Sequence, residues 1–374
     1  MDQFKDFRAF VEAIDDYGKE AGIVKVIPPK EWKQSLPDVQ PLLSHIRVRN
    51  PIIQHIIGTQ GIYTQTNVEK RRPFTLEQWC TLCNGDEHGA PDLGIDRTLK
   101  KPVSGHRKQK SSTQWRQEIQ EIRKRKRQQA ADELALARSD TPTPFPGTPR
   151  CTNPNRYTPD YCKDLERAYW RNLTFNQPMY GADMTGSLFD SSVRSWNVAH
   201  LDNILNNLDV ALPGVNTPYL YFGMWKATFA WHVEDMDLYS INYLHFGAPK
   251  QWYVIPPAQR KKFEGVMQNI FFQQHKACHQ FLRHKTFIVS PKILANHGVQ
   301  VQRCVQHEGE FMLTFPFGYH SGYNLGFNCA ESVNFALDSW LEIGKQAESC
   351  QCVSDSVMID VSSLEQSLTL SFGV

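Results

Sequence analysis

Three side chains in this sequence have the types and spacing to hold one redox-active metal ion. In Phe229-Ala-Trp-His-Val-Glu-Asp235, His232 and Glu234 stand two residues apart. On a strand, that spacing puts both side chains on one face and Val233 on the other. The third comes from Phe315-Pro-Phe-Gly-Tyr-His-Ser-Gly322, where His320 ends a strand-like run flanked by glycines. Two imidazoles and one carboxylate on one face of an octahedral ion leave three positions open, the non-haem iron(II) arrangement that activates dioxygen. An isolated His-x-Glu pair is more often ordinary polar structure, so its meaning depends on the residues around it.

A second set of ligands is softer. Cys278 with His284, and Cys350 with Cys352, make four donors of the kind a closed tetrahedral zinc site requires. Because 66 residues separate the two pairs, the alternative is two buried thiols beside an exposed imidazole. Cys80-Thr-Leu-Cys83 also has metal-like spacing, but no second Cys/His pair lies near it and Leu76 to Leu82 reads as helix, so these are read as unpaired thiols. Cys151, Cys162, Cys304 and Cys329 are given no role.

The elements that must position these residues follow from patterning. A chain of 374 residues, 41% hydrophobic and 11% aromatic, can bury a large core. Phe4, Phe7, Phe10, Val11 and Ile14 form one helical stripe from Phe4 to Tyr17, followed by an apolar strand over Gly22–Pro29. A second strand candidate lies at Gly61–Thr66. From Asn172 onward, short β-rich runs (Tyr219–Trp225, Leu238–Phe246, Gln251–Ile255, Glu310–Phe315) separated by Gly and Pro predict a jelly-roll sandwich or barrel. Helices at Leu201–Leu208 and Ala258–Phe272 would pack outside it.

Charge is unevenly spread. Arg97 to Arg127 carries twelve Lys/Arg against two acidic residues, so this stretch is +10 and the rest of the chain −8. A mildly acidic body attracts a basic substrate such as a histone tail, whereas the basic stretch suits phosphates or an import receptor. The five cations Arg123–Arg127 read either as a nuclear localisation or nonspecific DNA contact, or as a solvated helix face. Thr113–Ala137 has the composition of a solvated helix, and the proline-rich Thr141–Pro149 cannot support a regular ladder. No apolar run approaches the ~18 residues of a membrane span. With no charged-then-apolar leader and nine cysteines, the expectation is a soluble nuclear or cytosolic protein with thiols rather than disulfides.

Three long motifs, Asn216–Trp225, Trp231–Gly247 and Asn328–Ala336, resemble the JmjC catalytic domain of the JmjN/JmjC histone H3 trimethyl-lysine demethylases, and Phe4–Trp32 looks like their JmjN segment. The resemblance implies a mainly β fold with surrounding helices, a double-stranded β-helix of jelly-roll, cupin-like type. It divides the chain into JmjN (1–46), linking strands and helix (47–85), a flexible basic, Pro-rich insertion (86–155), the JmjC domain with its zinc site (156–352) and a divergent tail (353–374). Family members usually continue past the position of Cys352 into helices that complete the catalytic module, which this tail does not resemble. No PHD or Tudor reader is visible.

The resemblance also implies roles. His232, Glu234 and His320 would hold Fe(II), with 2-oxoglutarate and O2 as cosubstrates. Lys250 and the Tyr180 hydroxyl would meet the far carboxylate of 2-oxoglutarate, Asn242 would add a polar contact and Phe229 would pack on its carbon chain. A dicarboxylate in a narrow barrel needs such a cation at its blind end. Gly214, Tyr219, Tyr221, Ser332 and Asn334 would surround the methylammonium, with the apolar Val333 between the last two. Asn67, Asp183 and Lys285 would contact the peptide, and Cys278, His284, Cys350 and Cys352 would bind structural zinc. The implied function is removal of methyl groups from tri- and dimethylated lysine 9 and/or lysine 36 of histone H3 in the nucleus, releasing formaldehyde, succinate and CO2. The competing readings are a JmjC hydroxylase of another protein side chain, an inactive chromatin-binding module, and a small-molecule cupin.

Overall fold

The computed structural model describes residues 2–93, 112–143, 145, 156–350, 352 and 356–371. Arg97 to Ser111 of the basic stretch, most of the Pro-rich run after Thr143, and Cys151 lie outside them. The strands in chain order are β1 (Ile23–Val26), β2 (Arg47–Val48), β3 (Ile52–Thr59), β4 (Ile62–Glu69), β5 (Phe74–Thr75), β6 (Met179–Thr185), β7 (Tyr219–Gly223), β8 (Thr228–His232), β9 (Tyr239–Gly247), β10 (Lys250–Ile255), β11 (Phe287–Val289), β12 (Gln302–Gln306), β13 (Phe311–Thr314), β14 (Tyr319–Asn324) and β15 (Asn328–Phe335). One sheet runs β1-β13-β9-β15-β7-β6-β3-β4-β11, a second runs β12-β10-β14-β8, and β2 pairs with β5. Side chains from both large sheets line one cavity. This is the jelly-roll arrangement expected from the short, punctuated strands, with central β9 buried on both faces as its apolar run requires.

The β3–β4 hairpin turns through Gln60 and Gly61, both at positive φ (53° and 90°), with Thr59 opposite Ile62. Positive φ at both central residues gives a turn whose twist matches the strands. Sequence patterning found only part of β4 and did not single out β3.

The N-terminal stripe is not one helix. Asp6 caps a helix over Phe7–Ala13, the chain breaks at Ile14, and Asp15–Ala21 follows until Gly22 stops it at φ 82°. The break lets both helices lie on the barrel while β1 pairs with β13. Phe4 stacks on Trp196 at 4.3 Å and Phe7 meets Phe335 edge-on at 5.2 Å. Each buried aromatic contributes roughly 1.5–3 kcal/mol, so this segment is part of the core. Tyr17, by contrast, is exposed. Of the expected outer helices, Leu201–Leu208 is reduced to a 3-10 turn at Ile204–Asn207, whereas Ala258–Phe272 is helical, a 3-10 turn at Pro257–Gln259 leading into Arg260–Ile270 and a short helix at Phe272–Ala277 following.

Within the insertion, a helix spans Ser112–Arg138, and its C-terminal part has partners the sequence could not name. Gln78 Nε2 donates to the Glu133 carbonyl, Arg72 pairs with Glu133, Ala137 is buried, and Thr143 N donates to the Ser44 carbonyl. The tail also folds against the barrel: a helix over Val361–Ser371 buries Val361, Leu364 and Leu368 in the same core as Trp196 and Phe335.

Candidate active site

β8 and β14 are antiparallel partners, and their register sets His232 opposite His320. The ladder is bulged between His320 and Gly322. His320 is the second residue of β14, near the start of its strand rather than at the end of a run. Glu234 is also displaced from its expected place. β8 ends at His232, and Glu234 lies beyond it as the extended residue preceding a 3-10 turn. Its carboxylate still reaches the pair, with Oε1 3.4 Å from His320 Nε2. One donor atom from each of the three lies within 4.8 Å of the others. Ligands at about 2.1 Å from a common ion are spaced in that range.

Both rings are oriented for such an ion. His232 Nδ1–H donates to the Ala230 carbonyl at 2.7 Å, and His320 Nδ1–H donates to the Gly318 carbonyl at 3.0 Å. Each bond fixes the tautomer and leaves the Nε2 lone pair free. Burial pushes His232 down to about 3, so that lone pair is unprotonated at neutral pH. Glu234 is buried, yet the facing imidazoles hold its carboxyl well below the usual range. Asn334 Nδ2 donates to Glu234 Oε2 at 3.1 Å and to the Tyr239 carbonyl at 3.0 Å.

The three donors face a cavity of about 240 Å³. At its closed end Lys250 is 2% exposed, its Nζ 5.6 Å from the Phe229 ring centroid and 5.8 and 6.0 Å from those of Trp252 and Tyr221. Burial lowers its ammonium to about 8. Tyr180, whose hydroxyl bonds Asn324, and Asn242 line the same end. The Asn242 Oδ1 is buried without a hydrogen-bond partner. A buried cation among three ring faces, with the Cys329 thiol near it, makes a cradle that a small dicarboxylate could complete.

Toward the mouth, Gly214, Tyr221, Ser332, Asn334, Asn67, Asp183 and Lys285 all line the cavity. Tyr221 bonds Asp183, Gln65 donates to Asn67 Oδ1, and Lys285 Nζ lies 3.1 Å from Asp235. Tyr219 is not on the cavity wall; it packs over Gly214, where an added Cβ would lie 2.4 Å from its ring, and edge-on to Tyr221. At φ 79° under that ring, only glycine fits at 214. Val333 points into the core, away from the cavity, as its place between Ser332 and Asn334 on β15 requires. Gln54 and Gln65 also line the cavity and were missed. Gln65 is two residues from Asn67 on β4, so strand alternation was the signal that could have found it.

Away from the cavity, Cys278, His284, Cys350 and Cys352 converge as a second set able to hold a metal. Cys350 Sγ is 3.5 Å from Cys278 Sγ and 3.1 Å from His284 Nε2. Burial and the neighbouring thiols push Cys278 up to about 12; crowded sulfur donors keep their protons until a cation replaces them. Cys80 and Cys83 join no such group among the described residues.

With this geometry in view, comparisons with known proteins are specific. Residues 219–335 match the JmjC domain, hydroxylase family, and residues 1–28 the jmjN domain family. The chain is 40% identical over 96% of its length to lysine-specific demethylase 4B of Mus musculus. It is 38% identical over 94% to probable lysine-specific demethylase 4F of Homo sapiens, and 37% over 94% to lysine-specific demethylase 4D of Rattus norvegicus. It spans 27%, 45% and 56% of those proteins' own lengths. The chain therefore belongs to the JmjN/JmjC-domain proteins, homologous over most of its length to the lysine-specific demethylases.

Proposed function

We propose that this chain is a histone lysine demethylase that takes methyl groups from tri- and dimethylated lysine 9 and/or lysine 36 of histone H3, producing formaldehyde, succinate and CO2. The observation that carries the reading is one cavity with His232, Glu234 and His320 on its wall, Lys250 at its closed end and a ring of oxygens toward its mouth. The relatives' names, lysine-specific demethylases, point the same way.

Fe(II) held by His232, Glu234 and His320 would supply dioxygen activation, coupled to oxidative decarboxylation of 2-oxoglutarate. The protein's own residues bind, orient and exclude water. Lys250 and Tyr180 would meet the far carboxylate of the cosubstrate, Asn242 would add a polar contact by donating from its amide nitrogen, and Phe229 would cover its carbon chain. Tyr221, Gly214, Ser332 and Asn334 surround the methylammonium. Ser332 spends its hydroxyl proton on the Ile241 carbonyl, so its lone pairs face the cation. Hydroxylation at a methyl carbon needs no nitrogen lone pair, which admits a quaternary ammonium.

Cys278, His284, Cys350 and Cys352 suit structural zinc. Asn67, Asp183 and Lys285 would receive the peptide, drawn by the acidic body of the chain. The exposed Arg123–Arg127 run would contact DNA or an import receptor, placing the protein on chromatin in the nucleus. Mass spectrometry of a methylated H3 peptide panel with Fe(II), ascorbate and 2-oxoglutarate tests the function. Loss of 14 mass units with formaldehyde supports it, and a gain of 16 without formaldehyde replaces it with side-chain hydroxylation.

A further inference from the structure

We infer that Arg283 is a positioning residue for the iron ligand Glu234, acting through the turn that carries it; this rests on the iron reading of His232, Glu234 and His320. The β8 ladder stops at His232, so strand pairing does not hold Glu234. The chain then bends through Asp235–Asp237, with Met236 at φ 55° and Asp237 at φ 49°. Two successive non-glycine residues in the left-handed region persist only where the surroundings over-determine them.

Arg283 supplies that constraint from outside the turn. One Nη donates to the Glu234 backbone carbonyl at 3.2 Å, and the other to both Asp237 carboxylate oxygens at 3.0 and 3.1 Å. The two side chains are 9% and 4% exposed, so solvent screens the pair weakly. Trp340 Nε1 fixes the middle of the turn by donating to the Met236 carbonyl at 3.0 Å. The carboxylate is thus held from two directions, its Oε2 by Asn334 and its backbone by Arg283. A guanidinium fork serves a carbonyl and a carboxylate at once, whereas a lysine ammonium is a point charge that cannot reproduce the geometry.

The test is Mn(II) titration of the full chain freed of iron, comparing the parent with Arg283→Lys, Asp237→Asn and the double variant. Melting temperature and the metal content of the Cys278 cluster are followed in parallel. Mn(II) affinity should fall roughly 10- to 100-fold in each single variant. The double variant should be no worse than the weaker single one, because both remove the same link. Asp237→Asn keeps the arginine in place and so guards against a variant that fails to fold. Lower melting temperatures with Mn(II) affinity within twofold of the parent would make Arg283 merely structural and overturn the inference, as would additive losses. A parent that binds Mn(II) but yields no formaldehyde from any peptide removes the demethylase reading and leaves this test intact. A parent that binds no Mn(II) removes the iron reading and this inference with it.

Discussion

His232 and His320 face each other across the β8–β14 pair, and each gives its Nδ1 hydrogen to the carbonyl two residues before it in the chain. Both second ring nitrogens are thereby turned into the same cavity. A metal arriving there meets two fixed donors and one anchored carboxylate with no tautomer to rearrange.

The first expected outcome is that His232→Ala or His320→Ala abolishes formaldehyde release without unfolding the protein. Each ligand belongs to an exchangeable ion rather than to a structural one. Formaldehyde release and thermal melts check this. Near-parental turnover in either purified variant would refute the iron assignment.

Lys250 gives a prediction with a pH sign. Its folded value of about 8 lies below its unfolded value of 10.5 because burial penalises the charged form. Below pH 8 both states are protonated and the full burial cost is present. Between about 8 and 10.5 the unfolded state binds more protons, so stability of the cosubstrate-free protein rises with pH in that window. Affinity for 2-oxoglutarate should move the other way, falling as pH climbs past 8. Lys250→Met should weaken 2-oxoglutarate binding by about 2–5 kcal/mol while stabilising the empty protein by up to about 3 kcal/mol. A calorimetric titration across pH 7–9 checks the first effect and chemical denaturation the second. A variant that binds the cosubstrate as well as the parent would remove Lys250 from the site.

At the second cluster, purified protein should contain about one equivalent of zinc. Cys278→Ser or Cys352→Ser should lose it and melt at a lower temperature, because a metal bound only by the folded state contributes its binding energy to folding. Elemental analysis that finds no zinc in active protein would end this claim.

Trimethyl-lysine should turn over faster than dimethyl, with monomethyl nearly inert. The Ser332 hydroxyl and the Asn334 amide hydrogens are already committed to Ile241, Glu234 and Tyr239. What they leave for the substrate is acceptor oxygen. A trimethylammonium offers only C–H groups to it, whereas a monomethylammonium keeps N–H donors that would bind those oxygens and hold the methyl away from the metal. Val333 faces the core and does not alter the pocket. Steady-state rates on three H3 peptides differing only in methylation decide this, and equal mono- and trimethyl rates would sink the pocket assignment while leaving the iron chemistry standing.

What the sequence alone determined was chemical type and local facing. The jelly-roll class was legible in short, punctuated strands, and the His/Glu/His set and the four soft ligands in their donor chemistry together with the family resemblance, although Glu234 does not share the strand of His232. Ser332 and Asn334 came from the family resemblance, and the structure puts both on the cavity wall with Val333 in the core, as alternation along β15 requires. Tertiary structure decided everything that depends on partners distant in sequence. The β8–β14 register brings together residues almost ninety positions apart. The turn that takes Glu234 off its strand is held by Arg283. The second half of the Ser112–Arg138 helix finds Gln78 and Arg72, and the tail's Leu364 and Leu368 find the barrel. The physical reason is that spacing along a chain sets directions within one element only. Burial, ion pairing and the left-handed turn at Met236 and Asp237 are stabilised by contacts that exist once the sheets have closed.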